Sequence, residues 1–189
     1  SNQKANIVQL LQFIKIMNDN QNILPDLLKK NLKVVFCGTA AGNSSARKKY
    51  YYAHSANNFY HTLFNVGFTD RLIKPYEYEE LLNYNLGLTD LAKSVHGNDD
   101  VLLDSDFEII NFSEKMKLFK PNILCFNGKA AASVFLFGKK SYTQKIDYGL
   151  LDKKINNTQL FVASSTSSAG RGHFKLKHWK ELYELSLNS

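Results

Sequence analysis

Leu32-Lys33-Val34-Val35-Phe36-Cys37-Gly38 is the stretch that decides the fold: a short apolar run closed by a glycine. A strand covered on both faces carries a near-continuous apolar run, where a half-exposed strand alternates. The run therefore predicts a buried strand of a parallel sheet. Asn122-Ile123-Leu124-Cys125-Phe126 and Leu160-Phe161-Val162-Ala163 repeat the pattern. Helical spacing fills the intervals: 55–67 closed by Gly67, 75–83 with Pro75 near its first position, 113–119, 129–137 after the Asn127-Gly128 turn, and 176–185. Ahead of them, residues 5–18 space apolar groups as an amphipathic helix within an N-terminal segment 1–30. Residues 86–91 read as a loop, 94–106 as a polar, acidic, exposed insertion, and 143–158 as a hairpin-like element. Strands alternating with helices predict an α/β protein, a three-layer α/β/α sandwich around a short, mainly parallel central sheet. With no internal repeat and no linker, the 189 residues are expected to form one domain.

Composition narrows the function classes. Apolar residues make up 44% and aromatics 13%, enough for a real core. No apolar run reaches the ~18 residues of a membrane helix, and no signal-peptide pattern opens the sequence, so a cytoplasmic protein without membrane contact is expected. Cys37 and Cys125 both lie inside strand-like runs, which reads as reduced core thiols. Metal-ligand spacings are missing from the sequence.

The net charge of +7 is unevenly spread. No acid falls between Asp26 and Asp70, where Lys29, Lys30, Lys33, Arg47, Lys48 and Lys49 sit, and none between Lys153 and Lys180. Acids crowd the middle. Two acid-free basic windows fit a face that meets a polyanion. Lysines that merely keep a surface soluble leave the same signature.

Ligands of open α/β sheets bind beyond the carboxyl ends of the strands. Two loops qualify, 38–46 and 164–172. Neither is a P-loop or a GxGxxG turn, but their small residues let backbone N–H groups approach a ligand. Arg47, Lys48 and Lys49 run directly into Tyr50, Tyr51 and Tyr52. That order suits base stacking beside phosphate contacts, and equally three tyrosines packed under a loop. In the second loop the hydroxyls of Ser165, Ser167 and Ser168 suit phosphates, and Arg171 a DNA groove.

Taken in order, residues 34–46, 52–60, 66–69, Gly87-Leu88-Thr89-Asp90-Leu91, Phe126-Asn127-Gly128-Lys129 and 164–171 resemble the mismatch-specific uracil/thymine-DNA glycosylases, a branch of the uracil-DNA glycosylase superfamily. The resemblance spans about residues 32–185. It implies a monofunctional enzyme without metal or cofactor that flips uracil, with thymine and other deaminated bases as further substrates, out of a mispair and cuts its N-glycosidic bond. It also implies a monomer acting on double-stranded DNA, with single strands as a second substrate form, in the cytoplasm at the nucleoid, or in the nucleus of a eukaryote. By the same resemblance, Thr39 and Ala40 fall in the base pocket, Tyr52 stacks on the flipped pyrimidine, and Asn57 lines the pocket. Ser44 and Ser45 lie near phosphates, and Ser167, Ser168, Ala169, Gly170 and Arg171 form the wedge that fills the emptied stack.

One departure decides the chemistry. The family's first motif is Gly-x-Asn-Pro-Gly, whose asparagine positions the attacking water; here it reads Gly38-Thr39-Ala40-Ala41-Gly42. A methyl group at Ala40 cannot orient water. Asp90 is the candidate substitute, because a carboxylate can accept the water proton or stabilise the sugar cation. Asp90 as a helix N-cap is the structural alternative, and His54 and His173 are weaker catalytic candidates. A catalytically silent protein that binds mispairs or abasic sites is the second functional reading.

Overall fold

The computed structural model describes residues 22–189. The helix expected over 5–18 lies outside the described residues. Five strands form one sheet: β1 (Val34–Ala41), β2 (Leu86–His96), β3 (Ile123–Asn127), β4 (Gly149–Ile155) and β5 (Thr158–Ala163). Their order is β2-β1-β3-β5-β4. β1 pairs in parallel with both β2 and β3, β3 pairs in parallel with β5, and only β4 is antiparallel, as the second arm of a hairpin with β5. The helices are α1 (Asn43–Lys48), α2 (Phe59–Val66), α3 (Ile109–Phe119), α4 (Lys129–Phe137) and α5 (Leu176–Leu187).

Alternation along the strands builds the core on both faces of the sheet. Val34, Phe36, Ile123, Cys125 and Phe161 join Phe59, Leu63, Trp179 and Leu182 of α2 and α5 on one side. Val35, Cys37, Leu124, Phe126 and Val162 join Phe112 and Met116 of α3 and Ala132 and Phe135 of α4 on the other. This is the three-layer, mainly parallel arrangement that the apolar runs predicted. Because every second side chain meets a helix layer, no position in β1 needs to be polar. Both cysteines are buried and free.

Residues 86–91 correct the loop expectation. They are the first half of the longest strand, β2, and Asp90 pairs with Gly38 in register. The helix N-cap alternative for Asp90 is thereby excluded. Gly87 disguised the strand, and packing requires it: a Cβ there would come within 2.6 Å of Leu32 Cδ1 and 2.7 Å of the Leu27 carbonyl. The segment around Leu27 lies along the outer side of β2, with Leu27 and Leu88 exchanging backbone hydrogen bonds at 2.9 and 3.0 Å. A strand glycine here marks close backbone approach over a covered edge.

Several boundaries also move. β1 continues past Gly38 to Ala41, and the rest of the 38–46 loop becomes Gly42 and α1. α2 starts at Phe59 rather than at residue 55 and closes on Gly67 as read. Pro75–Tyr84 forms a 3-10 helix with proline at its start. The insertion 94–106 is partly β2 and partly a 3-10 turn, and α3 begins at Ile109, not 113. In 143–158 the hairpin begins at Gly149, with β4 and the first residue of β5, and the residues up to Lys145 belong to a 3-10 helix.

Candidate active site

After β1 the chain turns to the face of α2 and α5; after β3 it turns into α4 on the opposite face. Where neighbouring parallel strands send their connections to opposite sides, a crevice opens beyond their carboxyl ends. A cavity of about 820 Å³ occupies it. Its wall is built from residues 38–45, Tyr51, Tyr52, His54, Asn57, Asp90, 97–100, 127–131, Ser165 and 167–169. Segments far apart in sequence, which the resemblance joined only by order, thus meet around one space.

Asp90 lies in the wall of this cavity at 4% exposure. Burial pushes its carboxyl up to about 6, opposed by Lys93 and Lys115 and reinforced by the Asp26 charge, while the Gly38 backbone favours the ionised form. Gly38 must be glycine for Asp90 to sit there: a Cβ would come within 2.6 Å of Asp90 Oδ1. The same Cβ would lie 3.9 Å from the Tyr52 hydroxyl, so carboxylate and phenol converge on one spot.

Tyr52 takes a left-handed conformation (φ 53°), which costs a non-glycine residue on the order of 1 kcal/mol. Phe59 holds its ring from one side, stacked with centroids 4.0 Å apart and planes 26° off parallel. Among the described residues the buried Tyr52 hydroxyl has no hydrogen-bond partner; Asn127 is close enough to favour its ionised form, but burial dominates and holds its pKa well above the ordinary value. Such an orphaned hydroxyl in a cavity marks a place for a polar atom of a ligand. The neighbouring tyrosines divide between the two readings. Tyr51 is a buried core residue whose ring meets Tyr78, and Tyr50 packs edge-on against Tyr76.

The serine loop is fixed from several directions. Ser164 Oγ donates to the Lys175 carbonyl at 3.0 Å, and Trp179 Nε1 donates to the Ser164 carbonyl at 3.0 Å. Asn127 clamps its middle: Nδ2 donates to Thr166 Oγ1 at 2.9 Å, and Oδ1 accepts from the Thr166 N–H at 3.0 Å. The Asn58 N–H donates to the Thr166 carbonyl at 3.0 Å. Ser165, Ser167, Ser168 and Ala169 line the cavity, whereas Arg171 stands exposed outside its wall in a 3-10 turn that Gly170 caps.

Other expected residues fall as follows. Thr39, Ala40 and Ser44 line the cavity. Ser45 does too, but its buried hydroxyl accepts from the Ala53 N–H at 3.1 Å and thereby positions the tyrosine loop. Asn57 lines it, with Oδ1 accepting from the Phe59 N–H at 3.0 Å at the start of α2. Arg47 and Lys48 stand exposed at the end of α1, outside the cavity wall. His54 is in the wall; His173 is not. Among the described residues, no group of His, Cys, Asp or Glu is arranged to hold a metal.

Two features escape sequence reasoning. Asn127 stands in a segment of the resemblance that assigns it no role, yet it joins the end of β3 to the serine loop. The acidic insertion reads in the sequence as merely exposed, yet Asn98, Asp99 and Asp100 line the mouth. Thr39 Oγ1 donates to Asp99 Oδ1 at 2.5 Å, the Gly97 N–H donates to the Ala41 carbonyl at 2.9 Å, and Lys140 Nζ donates to the Asp99 and Leu102 carbonyls. No local pattern signals these interactions, because their partners are 38 or more residues apart in the chain.

Residues 25–185 match the family model described as the Uracil DNA glycosylase superfamily. The chain belongs to that superfamily. A solution NMR structure of a Methanosarcina acetivorans protein, described as a candidate uracil DNA glycosylase, shares the fold. It superposes with a TM-score of 0.58 at 21% identity, covering 87% of this chain and 96% of that one. For a uracil DNA glycosylase superfamily member, the cavity stands where the fold places its ligand, and DNA is the substrate class that membership implies. No helix among the described residues is long and apolar enough to cross a membrane.

Proposed function

We propose that this chain is a monofunctional DNA glycosylase that flips uracil, or another deaminated base, out of a mispair and hydrolyses its N-glycosidic bond with Asp90. The observation that carries the reading is Asp90 itself: a buried carboxylate in the cavity beyond the strand ends, beside a phenol with no hydrogen-bond partner among the described residues, in a chain with alanine at the motif-one position. A charged group is kept in such a place against its solvation cost where function uses it.

The chemistry follows from that placement. As the bond between C1′ and the base nitrogen breaks, its electron pair leaves with the base and the sugar becomes cationic. The Asp90 carboxylate stabilises that cation and takes one proton from the attacking water, whose oxygen bonds C1′. A proton then returns to the base nitrogen, leaving free base and an abasic sugar. The face of Tyr52 turned away from Phe59 is the stacking platform for the flipped base, and the serine loop follows the phosphates and carries the wedge, Ala169 to Arg171. With alanine at positions 40 and 41, the pocket has room for bases larger than uracil.

Single-turnover excision on labelled duplexes carrying G·U, G·T, A·U and hypoxanthine tests the reading. Alkali-sensitive cleavage of at least one duplex is expected. Binding to all four with release from none would favour the silent mispair binder, the reading that Ala40 supports.

Three expected outcomes follow from the site and its surroundings. Gly38→Ala places a methyl against Asp90 Oδ1, so excision should fall at least about tenfold with Kd for DNA little changed, since the displaced group is the one used in the transition state. Asp99 and Asp100 stand at the mouth, where their charge would oppose approaching phosphates. The double variant Asp99→Asn/Asp100→Asn should therefore bind DNA several-fold tighter at low salt, measured by fluorescence anisotropy. Removing Arg47 or Lys48 should instead weaken binding and reduce the salt slope by about one for each phosphate that is no longer neutralised.

A further inference from the structure

Behind Asp90 lies a second, buried set of charges that the reaction as derived does not use. Asp26, from the segment along the outer side of β2, sits between two ammonium groups. Lys93 of β2 reaches Asp26 Oδ1 at 2.8 Å, and Lys115 of α3 binds Asp26 Oδ2. All three are nearly excluded from solvent, with side-chain exposures of 8%, 11% and 9%. Thr89 Oγ1 donates to Asp26 Oδ1 at 2.8 Å, and Lys93 Nζ donates to the Tyr51 hydroxyl at 2.9 Å. Tyr51 in turn contributes to the cavity wall beside Asp90.

Among the described residues, this buried triad of two cations and one anion has one positive charge more than negative, which is costly away from water. Asp90, three residues before Lys93 on β2, lines the cavity together with the Tyr51 that Lys93 binds, and both ammoniums favour its charged form. With it ionised, two carboxylates and two ammoniums balance.

We propose that Lys93 is a positioning residue for Asp90: Asp26 and Tyr51 fix its ammonium behind the cavity as the standing counter-charge that keeps the Asp90 carboxylate ionised for attack by water. The proposal rests on the reading of Asp90 as the catalytic carboxylate. The arrangement gives the site a polarity that Ala40 cannot, and its charged members, Asp26, Lys93 and Lys115, lie outside the cavity wall. Asp26 opposes Lys93 in this respect, since it draws on the same ammonium and adds a like charge near Asp90. Other titratable groups face Asp90 as well: Cys37 from β1, and Tyr51 and Tyr52 from the loop before α2. Burial holds all three in their neutral forms. His54, Asp99 and Asp100 stand at the cavity, open to solvent.

The test follows the Asp90 carboxyl directly, by ¹³C NMR titration of aspartate-labelled full chain, with the resonance assigned as the one that vanishes in Asp90→Asn. The pH dependence of single-turnover excision is recorded in parallel. In Lys93→Met the midpoint should rise by about one pH unit, making excision about fivefold slower at pH 6 but only about twofold slower at pH 7. In Asp26→Asn it should fall, because a nearby negative charge is gone and the lysines remain. Lys93→Arg should stay within about 0.3 unit of the parent. Shifts of opposite sign from neighbouring substitutions cannot come from a general loosening of the fold. A midpoint unmoved in Lys93→Met, or shifts of the same sign in both variants, would overturn the proposal. Shifts as expected, with no excision by the parent on any substrate, would leave the counter-charge standing and remove the glycosylase reading instead.

Discussion

Asp90→Asn should lose excision by a factor of about 10²–10⁴ in single-turnover rate while still binding mispaired duplex, because it removes the proton acceptor and the anion that faces the sugar cation. The pH profile of the parent carries the same signature. Burial first, and then Asp26, raise the Asp90 carboxyl to about 6. Since the ionised form is the competent one, the rate should climb as pH rises through 6 and level above it. The stability effect has the opposite sense. A carboxyl whose folded pKa lies above its ordinary value favours the folded state below about pH 4, and that contribution is lost as pH rises through the folded value. At neutral pH the ionised Asp90 therefore costs the fold at most on the order of 3 kcal/mol. Asp90→Asn should accordingly melt at or above the parent temperature at pH 7 while being inactive. Trading stability for activity at a functional group is a familiar balance. An Asp90→Asn protein that excises at the parent rate would remove Asp90 from the chemistry.

The parts legible in the sequence are those whose physics is local. A strand covered on both faces must be apolar throughout, so β1, β3 and β5 are visible in Leu32–Gly38, Asn122–Phe126 and Leu160–Ala163. β2 is not, because two demands of the tertiary structure put poor strand formers into it. Gly87 admits the segment crossing at Leu27, and Thr89 and Asp90 face a buried charge cluster and a cavity. Local propensity cannot reveal either demand. The site divides in the same way. Thr39, Tyr52, Asn57, Asp90 and the serine loop stand out because each lies in a segment with a recognisable order. Asn127, Asp99 and the Asp26–Lys93–Lys115 cluster depend on interactions between residues 39 to 89 positions apart, and only the fold brings them together.

One further difference concerns charge. The two basic windows suggest a face that meets a polyanion, yet the cavity mouth itself carries Asp99 and Asp100, with Asp99 tied to Thr39 and its backbone held by Lys140. Among the described residues, Lys129 is the lysine in the wall. A mouth of mixed sign attracts a phosphate backbone less strongly than the net charge of +7 implies. It also penalises phosphates that approach without a base entering the cavity. Under the proposed function, entry of a flipped base would supply the affinity that charge at the mouth does not.

Phe59→Ala is the substitution expected to damage both fold and site. Phe59 is fully buried and meets Phe36 edge-on at 5.2 Å, Trp179 at 6.1 Å and Tyr60 at 5.2 Å, while its face supports Tyr52 at 4.0 Å. Deleting such a ring costs about 3–5 kcal/mol through reduced burial and a residual cavity. For a domain of this size that lowers Tm by on the order of 10 °C, readable by calorimetry. The column also reaches the chemistry. Tyr52 holds a left-handed backbone conformation that persists only while its surroundings enforce it, and Phe59 is the ring stacked against it. Phe59→Leu separates the two effects, because it keeps most of the apolar volume and removes the flat support. It should fold, lose less than about 1.5 kcal/mol, and still excise at least about tenfold more slowly than the parent, as the stacking platform drifts from the line of attack. A Phe59→Leu protein with parental excision would show that Tyr52 is held by its own loop, and would confine Phe59 to the core.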